Sequence, residues 1–264
     1  MEQSVFQIDA FTDRLFSGNP AAVCPLETWL PDDVMQDIAA ENNLSETAFF
    51  VAEGDEGAGH FGLRWFTPKA EVDLCGHATL ASAHLILEHL QPGLAAVSFD
   101  TRSGRLDVAR RDDLLVMDFP ARPARRVDVP GGFGDAIGAT PTEFLRATKN
   151  MAVFDSEETV ERLRPDLNFI AAMEGDGLIV TAPGRTCDFV SRYFAPHVGI
   201  DEDPVTGSAH CTSVPYWAGR LGKNELHARQ ISARQGDVFC ELAGDRVKLA
   251  GHAVLYLEGT IRLP

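Results

Sequence analysis

The sequence predicts an α+β protein of two pseudo-symmetric lobes, each a β-sheet rolled round one central α-helix, and three observations carry that reading. First, one motif occurs twice. Asp73-Leu74-Cys75-Gly76-His77-Ala78-Thr79 and Asp201-Glu202-Asp203-Pro204-Val205-Thr206-Gly207-Ser208-Ala209-His210 both pass from an acidic, extended lead through glycine into a helix start built of small residues. Second, the flanks repeat in the same order. Arg64-Trp65-Phe66-Thr67-Pro68 is echoed 128 residues later by Arg192-Tyr193-Phe194-Ala195-Pro196, Gly76 by Gly207 after 131, and Arg102-Ser103-Gly104 by Arg234-Gln235-Gly236 after 132. Three echoes at nearly one offset argue for a duplicated half. Third, the helix expected from Gly76 to about His89 is apolar on nearly every face, as a helix surrounded by protein must be. The expected lobes are residues 1–118 and 119–264, with the last strand, 253–264, a candidate to pack back on the first. The two motif helices are expected to face each other across the join.

Each element has a local reason. Phe6 to Phe11 alternates as a half-buried strand, and Ser17-Gly18-Asn19-Pro20 turns the chain into a second strand through Cys24. Pro31-Asp32-Asp33 opens a helix with Val34, Met35, Ile38 and Ala39 on its apolar face, closing at Asn42-Asn43. Leu44-Ser45-Glu46 feeds an apolar strand, Thr47 to Val51, and Phe61, Leu63 and Trp65 alternate along the next. After the first central helix come strands at Val97–Thr101, Leu106–Arg110 and Leu114–Phe119. Pro120 to Gly134, rich in proline, glycine and arginine, reads as an interlobe linker. In the second half, Ser156-Glu157-Glu158 caps a short helix, Leu178–Thr181 and Asp188–Phe194 are strands, and Gly207–Gly219 is the second central helix. Strands at Ile231, Val238–Leu242, Val247–Ala250 and Ala253–Arg262 finish the chain.

Composition bounds the function. With 264 residues and 45% hydrophobic content the chain can bury a core, and its formal charge of −16 argues against nucleic acid, whose phosphates would be repelled. Any anionic ligand must be held by local dipoles and a few bases. Five scattered cysteines without CxxC spacing indicate reduced thiols, neither a disulfide framework nor a metal knuckle, and a cytoplasmic protein. No secretory signal or membrane span is expected.

The candidate chemistry clusters at the two glycine-opened helices. Backbone N–H groups near Gly76, His77, Gly207 and Ser208 are unpaired donors at the positive end of a helix dipole and suit a carboxylate; the competing reading is an ordinary helix end capped by Thr206 or Ser208. Glu46 stands at the mouth of an apolar strand, where a carboxyl's charged form is disfavoured and it can both give and take protons. On the residues alone it is one acid among 39. His77 could titrate near neutrality or be a hydrogen-bonded structural residue; the same holds, more weakly, for His210. Asp203 could orient a histidine or cap its own turn. Cys75 at a helix start could be an activated thiol. Its counterpart in the repeat is Thr206, a poor base, so a two-thiol racemase mechanism fails there and Cys75 reads as packing.

Together with Asp9-Ala10-Phe11, Gly18-Asn19-Pro20 and Leu44-Ser45-Glu46-Thr47-Ala48-Phe49, the two helix motifs resemble the PhzF-like family over essentially the whole chain. The resemblance implies the diaminopimelate-epimerase-like architecture, with Glu46 as general acid/base and His77, Asp203 and Ser208 assisting proton movement and holding substrate. It implies no metal and no organic cofactor, a small carboxylate substrate and a homodimer. The expected activity is that of a proton-shifting isomerase, of the kind acting on trans-2,3-dihydro-3-hydroxyanthranilate. The alternatives are an epimerase or racemase of an amino or hydroxy acid, and a catalytically idle metabolite-binding protein. Substrate choice is expected to lie in loops such as 54–60 and 120–134.

Overall fold

The computed structural model describes residues 2–54 and 59–263. Residues 55–58, within the first expected specificity loop, lie outside the described residues. The chain forms two compact units, Met1–Asp118 with Ala250–Pro264, and Phe119–Leu249. No helix among the described residues is long and apolar enough to cross a membrane.

In the first unit β1 (Glu2–Ala10) pairs antiparallel with β2 (Asn19–Leu26), and helix α1 (Asp32–Asn42) crosses over to β3 (Glu46–Ala52), parallel to β2. Next, β4 (His60–Phe66) runs antiparallel to β3 and carries the short β5 (Glu71–Val72). Helix α2 (Gly76–His84), prolonged by a wider π-helical turn over Leu85–Leu90, is the crossover from β4 to its parallel partner β6 (Ala96–Thr101). Strands β7 (Gly104–Arg111) and β8 (Leu114–Pro120) continue as antiparallel neighbours.

The second unit repeats these pairings in the same order and sense. After the short β9 (Arg125–Arg126) and α3 (Phe133–Ile137), β10 (Glu143–Arg146) pairs antiparallel with β11 (Asn150–Val153). Helices α4 (Glu157–Arg162) and α5 (Leu167–Ala171) lead to β12 (Leu178–Pro183), parallel to β11. Antiparallel β13 (Phe189–Ala195) follows and carries the short β14 (Ile200–Asp203). Helix α6 (Gly207–Leu221) then crosses to β15 (Glu225–Gln230), parallel to β13, and β15 pairs antiparallel with β16 (Gly236–Ala243). Strand β17 (Arg246–Gly251) leads back to the first unit, where β18 (Ala253–Arg262) pairs with β1 from Glu2↔Arg262 to Ala10↔Ala253.

The two crossover helices are enclosed, as their apolar surfaces require. Every residue of α2 from His77 to Ala83 is buried, and its hydroxyls are satisfied inside the helix: Thr79 Oγ1 donates to the Cys75 carbonyl at 2.6 Å and Ser82 Oγ to that of Ala78 at 2.8 Å. Helix α6 contains Pro215, which has no N–H for the carbonyl of Cys211 four residues earlier. That carbonyl accepts instead from the backbone N–H of Arg122 at 2.9 Å, so the helix is not broken and the 120–134 segment is docked to it. With Phe133 also in the second unit's core, this segment is part of that unit and not the free linker that its composition indicated.

Two further differences have physical causes. Strands β10 and β11 escape a periodicity reading because they are four residues long, too short to show an alternation. The strand expected at Ile231 is displaced to Glu225–Gln230, whose inward residues Leu226, Ala228 and Gln230 include an amide buried for the hydrogen bonds it makes.

Also buried in the second unit, Trp217 stacks on Phe189 with ring centroids 5.6 Å apart, and its indole N–H donates to Thr181 Oγ1 at 3.0 Å. Replacing Trp217 by Ala removes a fully buried ring and leaves that hydroxyl without its donor. We expect a loss of about 3–5 kcal/mol in a urea unfolding titration; a loss below about 1 kcal/mol would show that the ring is not a core member.

Candidate functional site

In the first unit the expected residues meet around one imidazole. Glu46 is the first residue of β3, and because alternate strand residues share a face it points to the same side as Ala48 and Phe50. His77 occupies the first turn of α2, which packs against β1, β2 and β3. Its Nε2 lies 3.2 Å from Glu46 Oε2, without the alignment of a hydrogen bond. Glu46 is 8% exposed and His77 5%.

On the other side of the ring, Asn19 Nδ2 is 3.2 Å from His77 Nδ1. An amide nitrogen can only donate, so Nδ1 accepts and the neutral ring carries its proton on Nε2, the nitrogen facing Glu46. Burial pushes the His77 pKa down to about 3, so the ring is neutral across the physiological range.

The sequence motif around Asn19 is the device that holds this amide in place. Asp9 Oδ2 accepts from the backbone N–H of Phe16 at 3.0 Å, tying down the turn between β1 and β2. Gly18 then adopts φ +67°, where a Cβ would stand 2.2 Å from the Ala10 carbonyl oxygen. Only glycine fits, and the turn delivers Asn19, fully buried, to the start of β2.

Cys75 is the N-cap residue of α2, buried, with Sγ 3.5 Å from His77 Nδ1. Glu46, Cys75 and His77 offer potential ligand atoms within 4.8 Å of one another, as do Glu53 just after β3, His60 on β4 and Asp100 on β6. In the first group the thiol faces Nδ1 and the carboxylate faces Nε2.

The second unit builds a different network at the equivalent place. Asp203 ends β14 and is 8% exposed. Its Oδ2 accepts from Thr206 Oγ1 at 2.5 Å. Gln230, fully buried at the end of β15, clamps the turn: its Nε2 donates to the Asp203 carbonyl at 2.7 Å and its Oε1 accepts from the Thr206 N–H at 2.9 Å. Thr206 is thus engaged backward, and it makes no side-chain cap to α6; Cys75 makes none to α2. The ordinary N-cap reading does not describe either helix. Gly76 and Gly207 open their helices, and Ser208 sits half-buried on the first turn of α6. His210 is a structural residue: its Nδ1–H donates to the Thr206 carbonyl at 2.8 Å, and burial pushes its pKa down to about 4.

Both units brace the acidic lead in one way. Arg64 grips Glu71 through Nε at 2.7 Å and Nη2 at 2.8 Å, and Arg192 grips Glu202 through Nε at 2.7 Å and Nη2 at 2.9 Å. Bidentate pairs of this kind fix orientation as well as charge. The sequence reading passed over Asn19, Gln230 and these two glutamates as functional groups. The signal for the glutamates was there, since each lies between its arginine and the motif glycine in both halves.

The family described as phenazine biosynthesis-like protein, PhzC-PhzF, matches residues 8–259. An uncharacterized isomerase of Pseudomonas aeruginosa is 51% identical over 265 residues, with all of both chains covered. The crystal structure of a PhzF-family phenazine biosynthesis protein from Enterococcus faecalis is 43% identical and superposes with a TM-score of 0.96 over all of both chains. A hydroxyproline epimerase from Agrobacterium vitis, 11% identical with a TM-score of 0.61, covers 98% of this chain and 92% of its own; it shares the fold.

A buried neutral histidine has a pH signature. His77 and His210 have folded-state pKa values of about 3 and 4, below the unfolded value of about 6.5. Above pH ~6.5 neither state is protonated and stability is unaffected; as pH falls from there toward 4 the unfolded chain takes up protons that the folded one refuses. Each histidine then removes up to about 1.4 kcal/mol per pH unit. We expect His77→Asn to show a shallower decline over that window in denaturant titrations; an unchanged slope would mean that His77 is protonated in the native state.

Proposed function

From the premise that this chain is an isomerase of the phenazine biosynthesis-like PhzC-PhzF family, to which it belongs, we propose that it moves a proton within a small carboxylic acid by general acid/base catalysis. The observation that carries this reading is the buried Glu46 carboxyl 3.2 Å from a neutral His77 ring. Glu46 takes a proton from one carbon and returns it to another. His77 stays neutral and offers its Nε2–H, stabilising the carboxylate form of Glu46 when substrate holds the proton and the charge that develops on substrate as it leaves. The N–H groups that open a helix suit a carboxylate, and the reading assigns substrate binding to those of Gly76 and His77 on α2 and to those of Gly207 and Ser208 on α6, each taken by itself. Asp203, fixed by Thr206 and Gln230, is assigned to proton movement in the same reaction, with Ser208 assisting.

The reading needs no metal and no organic cofactor, and takes the working protein as a cytoplasmic homodimer. Its model chemistry is the isomerisation of trans-2,3-dihydro-3-hydroxyanthranilate. The second reading, epimerisation at one carbon of an amino or hydroxy acid, is favoured by the fold shared with the hydroxyproline epimerase.

The two part in deuterated water. An isomerase introduces label at the carbon to which the double bond's proton migrates, and an epimerase at a stereocentre that inverts. For Glu46→Gln we expect kcat on trans-2,3-dihydro-3-hydroxyanthranilate to fall by about 10²-fold or more while ligand binding persists. A Gln variant with wild-type turnover would refute the assignment.

A further inference from the structure

The second unit buries a lysine that the reaction above does not use. Lys149 is 8% exposed, yet among the described residues it makes no ion pair and no side-chain hydrogen bond; its ammonium lies 5.2 Å from the centroid of the Tyr193 ring. A buried ammonium without an anion in direct contact is costly, and Lys and acid residues are almost never buried unless paired. Burial accordingly pushes the Lys149 pKa down.

The position is built and not incidental. Lys149 ends the tight turn between β10 and β11, and one neighbouring turn pins everything around it. The Asp176 N–H donates to the Thr148 carbonyl at 2.8 Å, Asn150 Nδ2 to the Glu174 carbonyl at 2.6 Å, and the Tyr193 hydroxyl to the Asp176 carbonyl. Asn150 is the repeat counterpart of Asn19: each is fully buried and opens the strand that precedes its unit's first crossover, 131 residues apart. Lys149 therefore stands at the edge that in the first unit serves the catalytic histidine.

Its surroundings place it beside the start of α6. Tyr193, under the ammonium, is the direct cross-strand partner of Asp203, so both side chains lie on one face of the sheet. Lys149 senses the charge of Asp176 most strongly, and after it the thiol of Cys211 and the charge of Asp203, which bracket the first turn of α6. A second base is on the same side: Arg122, whose backbone is fixed by the carbonyl that Pro215 releases, reaches Thr148 Oγ1 at 3.4 Å. In a chain of net charge −16, two bases that meet beside an uncapped helix start answer a specific anion. Asp176 and Asp203 would repel a dianion such as phosphate, and a singly charged carboxylate is the anion that they tolerate.

We propose that Lys149, assisted by Arg122, is a second carboxylate subsite, so that the substrate is a small dicarboxylic acid with one carboxylate at the helix start and the other on the Lys149 ammonium. This rests on the reading of the first turn of α6 as the place of the first carboxylate.

The test is calorimetric titration of the full-length protein with matched pairs, phthalate against benzoate and glutarate against butyrate. One charge-assisted hydrogen bond gives the dicarboxylate of a pair a roughly tenfold to hundredfold tighter Kd on the wild type. Lys149→Met should bring the pair to equal Kd with the monocarboxylate unchanged, and Lys149→Arg should restore part of the preference. Near-ultraviolet circular dichroism confirms that each variant is folded. An unfolded Lys149→Met variant transfers the decision to Lys149→Gln, read in the same way. The proposal is overturned if a folded variant without the ammonium keeps the wild-type preference, if the wild type has no preference, or if it binds none of the four acids. Glu46→Gln separates the two claims: it should keep the dicarboxylate preference even though turnover is lost, and turnover by that variant would sink the isomerase mechanism while leaving the subsite standing.

Discussion

The contact between Glu46 Oε2 and the proton-bearing nitrogen of His77 is the interaction on which the rest of the first unit turns. Two ionisable groups that are both more than nine-tenths buried can coexist only if the protein decides which of them is charged. Here the decision is made at the far side of the ring. Asn19 presents a donor to Nδ1, which forces the proton to Nε2 and leaves no place for a second one. Everything that positions Asn19 therefore reaches the carboxyl–imidazole contact: the Asp9–Phe16 tie, the glycine in the left-handed region, and the parallel pairing that sets Ala21 of β2 opposite Glu46.

The duplication gives two frames of one construction, and their differences show how the roles divided. The crossovers, the antiparallel neighbours and the arginine–glutamate braces are kept in both units. The residues at the helix starts are not. Where the first unit has Cys75 and His77, the second has Thr206 and Ser208; there the Asp203 carboxyl accepts from the Thr206 hydroxyl and the Asp203 backbone carbonyl from the Gln230 amide. The two helix starts therefore present different chemistry, a thiol and an imidazole in the first unit and two hydroxyls in the second.

Much of the fold was legible because it rests on local rules. Gly76 and Gly207 open helices as their sequence context indicated, Asn43 closes α1 in the left-handed conformation, and Ser156 caps α4 by accepting from the Thr159 N–H. The less legible parts depend on partners distant in sequence. Pro215 inside a helix makes sense only once Arg122 is seen to satisfy the released carbonyl. Gln230 is a buried clamp that no local pattern marks, because its hydrogen-bond partners lie 24 and 27 residues away. For the site, the repeat and the family likeness brought out Glu46, His77, Asp203 and Ser208. Asn19 stood inside a quoted motif, but nothing in one dimension says that a strand's first residue touches a helix 58 residues on.

The most direct test of this account is the protonation of one ring. Two-dimensional ¹H–¹⁵N spectroscopy of the histidine side chains, assigned with His77→Asn, reports tautomer and charge together. The account predicts that at neutral pH His77 is uncharged with its proton on Nε2, and that it stays so down to about pH 4, approaching its folded pKa of about 3. An imidazolium at neutral pH, or a neutral ring protonated on Nδ1, would contradict it, since Asn19 would then be facing a donor and Glu46 a different partner.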